Sequence, residues 1–97
     1  MKDKDAADIA KALSHPLRLE ILREMRKRKD ASPNDLSQYL NEPLGNICYH
    51  VTTLREAGAV EVVEEVPRRG AVEHRYALAS TPRAALVGQM LDLLDAS

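Results

Sequence analysis

The residues best equipped to do chemistry lie between Leu44 and Gly58. Wound as a helix, this stretch puts Ile47, Val51, Leu54 and Gly58 on one side. Gly45, Tyr49, Thr52 and Glu56 fall opposite, flanked by Asn46, Cys48 and Thr53. An apolar back with small and polar side chains toward the start is what a helix needs to lie in a DNA groove and touch base edges. Gly45 would let the backbone approach closely, or merely loosen the helix start. Asn46 can pair with an adenine edge or cap its own helix. Tyr49 points away from the core and suits a phosphate or a thymine methyl. His50 sits beside the buried stripe and fits a structural hydrogen bond better than a DNA contact. Cys48 reads as a small filler rather than a redox switch.

A second group is basic. Arg68 and Arg69 precede Gly70 in a predicted loop and suit phosphate or minor-groove contact, against the plainer reading of a solvated turn. Arg75 is placed on the same side. Arg26, Lys27, Arg28 and Lys29 also cluster, but runs of this sort are usually only solvated. Other chemistry finds little support. There is no nucleophile–base pair, no carboxylate pair in an obvious cleft and no phosphate loop, so no catalytic residue is assigned. Cys48 is the one cysteine, and His15, His50 and His74 are scattered with no i+4 partner. No metal site or cofactor is expected.

These residues need elements to hold them. Ser32 and Pro33 start a short helix carrying Leu36 and Leu40, and Asn41-Glu42-Pro43 breaks it before the helix from Leu44. Upstream, Asp3 to Leu13 reads as a helix with Asp3 and Asp5 favouring its start and Ala6, Ile9, Ala10 and Leu13 as its stripe. Pro16 to Arg28 reads as another, with Leu17, Ile21, Leu22 and Met25 inside and Arg18, Glu20, Arg23, Glu24 and Lys27 outside. Beyond Gly58 the period turns strand-like. Ala59 to Val66, a Pro67–Gly70 turn, and Ala71 to Leu78 make a β-hairpin, which must lie against the helices because an isolated hairpin is barely stable. Thr81 and Pro82 start a last helix, apolar over a wide arc. Ile9 on the first helix and Leu86, Val87, Met90, Leu91 and Leu94 on the last are expected to form a homodimer interface.

The chain has 97 residues, 44% hydrophobic and 30% charged, with a formal net charge of −1. One globular domain spanning 1–97 is expected, mainly α with a small β-hairpin wing. Near-neutral charge does not announce a nucleic-acid binder, so the distribution of charge matters more than its sum. A single cysteine, with no segment resembling a signal peptide or membrane span, fits a cytoplasmic setting.

Helix, helix, helix-turn-helix, hairpin, helix is a winged helix-turn-helix order. Ala12 to Leu22, ALSHPLRLEIL, resembles the L-x-H-P-x-R-x-x-I-L opening of ArsR-type bacterial transcriptional repressors. Ile47 to Val60, ICYHVTTLREAGAV, is similar to their recognition helix, V-S-x-H-L-x-x-L-x-x-A-G-L-V. Glu42 to Asn46 and Pro67 to His74 look like an actinobacterial branch. The similarity covers roughly residues 8 to 80. It implies a dimer whose two recognition helices enter successive major grooves of an inverted-repeat operator, with wings on flanking phosphates or the minor groove. The base-facing positions carried over are Gly45, Asn46, Cys48, Tyr49 and Thr52, with Thr53 at the edge. Leu44 stands where many relatives have a polar residue, and Cys48 where many have Ser. The metal-sensing arrangements of such relatives, a cysteine pair on the helix before the turn or His and Asp on the last helix, are not here. A second reading, a winged-helix module that binds protein rather than DNA, draws on the near-neutral charge and on Leu44.

Overall fold

The computed structural model describes residues 3–96, with side chains from Ala6 onward. The carboxylates of Asp3 and Asp5, expected to favour the first helix, lie outside the described residues. The elements run α1 (Asp3–Ala12), α2 (Pro16–Arg28), α3 (Pro33–Leu40), α4 (Leu44–Glu56), β1 (Val60–Arg68), β2 (Ala71–Leu78) and α5 (Pro82–Asp95). This is a winged helix-turn-helix, in the expected order.

Three helices start in the same way. His15, Ser32 and Thr81 each hold extended backbone ahead of a proline, and each side chain accepts a hydrogen bond from the first turn. His15 Nδ1 takes the Leu17 N–H at 3.2 Å, Ser32 Oγ that of Asp35 at 3.1 Å, and Thr81 Oγ1 that of Ala84 at 3.1 Å. The Asp35 carboxylate returns the favour to the Ser32 N–H at 3.2 Å, closing a capping box. Asn41 ends α3 in the left-handed conformation, φ 52°, one of the few non-glycine residues that tolerates it. Gly58, φ +81°, turns the chain out of α4. A Cβ there would lie 3.0 Å from the Arg83 guanidinium, which donates to the Ala57 carbonyl and pairs with Asp8.

The core joins the helices and the hairpin base: Leu17, Ile21, Leu22, Met25, Leu36, Ile47, Val51 and Leu54 pack with Val60, Ile9, Val87 and Leu91. Two expectations change here. Ile9, Val87 and Leu91, assigned to a dimer interface, are 2%, 0% and 0% exposed and belong to this core. Arg18, expected on the outer face of α2, is buried.

The hairpin turn is tighter than expected. Arg68 pairs with Ala71, leaving Arg69-Gly70 as the turn, with Gly70 at φ +76°. Pro67 therefore lies inside β1, opposite Val72, and is tolerated because β1 pairs with β2 alone among the described residues. The register shifts between Val62 and Glu64, a bulge that leaves Val63 exposed. Besides the packing of Val60, Tyr76 and Leu78 on the core, polar contacts fasten the hairpin to the helices. Ala31 and Tyr76 exchange two backbone hydrogen bonds of 2.9 Å, and Arg75 reaches back to Asp30 at 2.7 Å and Asp35 at 3.0 Å. Arg75, grouped above with the DNA contacts, is thus occupied inside the protein.

Candidate nucleic-acid interface

Helix α4 has two unlike faces. Ile47, Val51 and Leu54 are almost wholly buried and fix its back to the core. Gly45, Asn46, Cys48, Tyr49 and Thr52 are exposed, and Tyr49 reaches 63%. Thr53 is half-buried, and its hydroxyl donates to the Tyr49 carbonyl at 3.1 Å, a bond internal to the helix. No side chain caps α4, whose first position follows Pro43. The Asn46 amide is therefore not spent on the helix start.

Behind Tyr49 lies a joint the sequence reading saw only in part. The buried Arg18 donates from Nε to His50 Nδ1 at 3.1 Å and from Nη1 to the Lys11 carbonyl at 3.2 Å. The His15 ring lies 4.4 Å from that of His50, and Tyr49 meets His50 edge-on at 5.1 Å. His50 accepts through Nδ1, so it is neutral here. Burial pushes its pKa below the ordinary 6.5, and His15 and Arg18 push the same way. His50 was expected to make a structural hydrogen bond; its partner Arg18 was expected in solvent.

The wing places two arginines differently. Arg68 is paired with Glu73, at 2.9 Å from Nε and 2.8 Å from Nη2. Arg68 and then the Ser32 hydroxyl hold the Glu73 carboxyl below its usual range. Arg69, at the exposed tip, has no ion pair among the described residues. In the other basic group the arginines are paired, while Lys27 and Lys29 are exposed with no ion pair among the described residues. Arg26 bridges to Asp92 and Asp95, Arg23 to Asp95, and Arg28 to Glu24 while stacking 3.6 Å over the Tyr39 ring. Burial pushes the Asp35 carboxyl up, but the Ser32 backbone N–H and the Arg75 guanidinium outweigh it and hold it below the usual value. Between α4 and the wing runs a groove of about 290 Å³, whose walls include Asn34, Leu44, Cys48, Thr52, Val72 and His74. Among the described residues no group of three or more His, Cys, Asp or Glu side chains could hold a metal ion, and no helix is long and apolar enough to cross a membrane.

A helix with a buried back and an open front, set beside a two-stranded wing, defines the class: a winged helix-turn-helix of the kind that binds DNA. The chain belongs to the helix-turn-helix domain family, matched over residues 13–63, and its wing and flanking helices give it the fold of winged-helix transcriptional regulators. It is similar to HlyU from Vibrio cholerae, at 25% identity over 96% of this chain and 97% of that one, with a TM-score of 0.75. It is also similar to the transcriptional repressor BigR from Xylella fastidiosa, at 27% identity over 96% and 86% of the two chains, TM-score 0.74. An ArsR family transcriptional regulator shares the fold at 19% identity, over 98% of this chain and 92% of that one, TM-score 0.68. No curated protein sequence matches the chain.

Proposed function

We propose that this regulator acts as a homodimer that represses transcription by occupying an inverted-repeat operator. The exposed front of α4 supplies base contacts through Gly45, Asn46, Cys48, Tyr49 and Thr52, with Thr53 at the edge. The wing adds phosphate or minor-groove contacts through Arg69 and, once freed from Glu73, Arg68. The observation that carries this reading is Tyr49, which stands 63% exposed on a helix whose opposite side is fully buried. A large aromatic left in water on a rigid helix is placed to meet something, and its neighbours Asn46 and Thr52 have the atoms that base edges accept. Dimerisation is supported by an apolar cleft of about 170 Å³ between α1 and α5, lined by Ala6, Ile9, Ala10, Leu13, Leu86 and Met90. Leu93 is exposed nearby on α5.

Selection from a random duplex pool, followed by gel shifts at rising salt, tests the reading. The recovered site should be an inverted repeat with half-sites about one helical turn apart. Affinity should fall steeply with salt, because phosphate neutralisation releases counterions. Tyr49→Ala should weaken binding to the selected site by tenfold or more without unfolding the protein. If no duplex is enriched, or affinity is indifferent to salt, the protein does not work through α4 on DNA.

A further inference from the structure

We infer that this protein reads its operator largely through thymine methyl groups, by an apolar row along α4, and that the half-site is correspondingly rich in A·T pairs. The inference rests on the proposal that α4 enters the major groove.

Leu44, Cys48 and Thr52 stand at i, i+4 and i+8, so they form one line along the helix. At 1.5 Å per residue the line is about 12 Å long, the span of roughly three to four base pairs at about 3.4 Å each. All three are exposed, Leu44 by 43%. Each offers a methyl or sulfur surface without charge: the Leu44 methyls, Cys48 Sγ and Thr52 Cγ2. The same row walls the groove that α4 shares with the wing, and across that groove stands Val72, 51% exposed. The apolar surface is thus continuous with the face proposed to meet DNA rather than a separate patch.

What the helix lacks points the same way. The one basic side chain of α4 is Arg55 in its last turn, and from Leu44 to Leu54 there is no Arg, Lys or Gln, so the first three turns do not offer the bidentate guanine contact. Asn46 can make the bidentate adenine contact, and Thr53 has its hydroxyl committed within the helix. Adenine through Asn46 and thymine through its methyl are the two faces of an A·T pair. Leu44, awkward for a helix that reads only by hydrogen bonds, suits one that reads methyls.

The test uses the native protein and duplexes recovered by selection. Deoxyuridine replaces thymidine one position at a time, which removes the methyl and leaves every hydrogen-bonding group in place. At two or three positions per half-site the affinity should drop about fourfold, the equivalent of losing one buried methyl-sized group. Leu44→Ala should bind the unmodified site more weakly, and one of those positions should then become indifferent to deoxyuridine. If every deoxyuridine duplex binds like its parent while the selected site keeps its steep salt response, α4 reads DNA by other means and the inference fails alone. A G·C-rich selected site would also overturn it. Failure to select any site removes the DNA reading and this inference with it.

Discussion

At the hairpin tip Arg68 spends its guanidinium on Glu73, while Arg69 has no ion pair among the described residues. Arg68 is 63% exposed at its side chain, and an ion pair this open is worth roughly 0–1 kcal/mol. A phosphate can therefore compete for it, but the displaced Glu73 would then sit uncompensated beside the DNA. The two arginines should not weigh alike. Arg69→Ala should weaken binding on all duplexes and flatten the slope of log affinity against log salt by about 0.9. Arg68→Ala should flatten it less, because part of that charge is already neutralised. Glu73→Gln should tighten binding and steepen the slope. Fluorescence anisotropy across a salt series measures all three. Equal slopes for the two arginine variants, with no effect from Glu73→Gln, would mean that the Arg68–Glu73 pair does not bear on DNA.

Among the elements, those that start on a local pair were legible in the sequence. Ser32-Pro33 and Thr81-Pro82 each carry cap and first turn in adjacent residues, and α3 and α5 begin there; Pro16 marked the start of α2, while the capping by His15 emerged only in the fold. The two faces of α4 were legible as well, because its apolar residues recur at helical spacing. What escaped were partners far apart in the chain. Arg18 meets His50 across 32 residues, and Arg75 meets Asp30 and Asp35 across 45 and 40. No local pattern distinguishes such an arginine from one in solvent. The Arg18 joint ties α2 to α4 only while His50 is neutral, which gives it a pH dependence. The unfolded chain takes up a proton on this histidine below its ordinary value of 6.5, whereas the folded one resists until lower pH. The joint's contribution is thus complete above 6.5 and is lost as pH falls through the folded value. The loss is at most about 1.4 kcal/mol per pH unit for one group. Asp35 adds a loss of the same sign in a lower window, below 3.8. His50→Gln, which can still accept from Arg18, should remove the upper window and leave the lower. Denaturant melts at several pH values would register this, and a native protein equally stable from pH 7.5 to 4.5 would contradict it.

The whole molecule measures 42 × 26 × 20 Å and carries its two proposed surfaces on different elements. The DNA face belongs to α4 and the hairpin, the apolar cleft to α1 and α5. Periodicity marked α5 as apolar over a wide arc, but could not say which side the chain would use on itself. Val87 and Leu91 turned inward, leaving Leu86 half-buried and Met90 42% exposed beside the small side chains of Ala6 and Ala10 on α1. Small residues facing large ones allow a second copy to come close, and a two-fold pair would present two copies of α4 to one duplex. One copy docked raises the effective concentration of the other, a gain of about 10²–10⁴ that needs no new DNA contact. Met90→Glu sets a charge in that cleft while leaving the buried core untouched. In sedimentation equilibrium the variant should weigh as a monomer, and it should melt cooperatively at a temperature that no longer depends on protein concentration. Its affinity for a single half-site should be unaltered, while its affinity for the full inverted repeat should fall by about a hundredfold or more. A variant that stays dimeric and binds the full repeat as before would place the dimer contact elsewhere. One that loses half-site binding too would show that the cleft shapes α4 itself rather than pairing it.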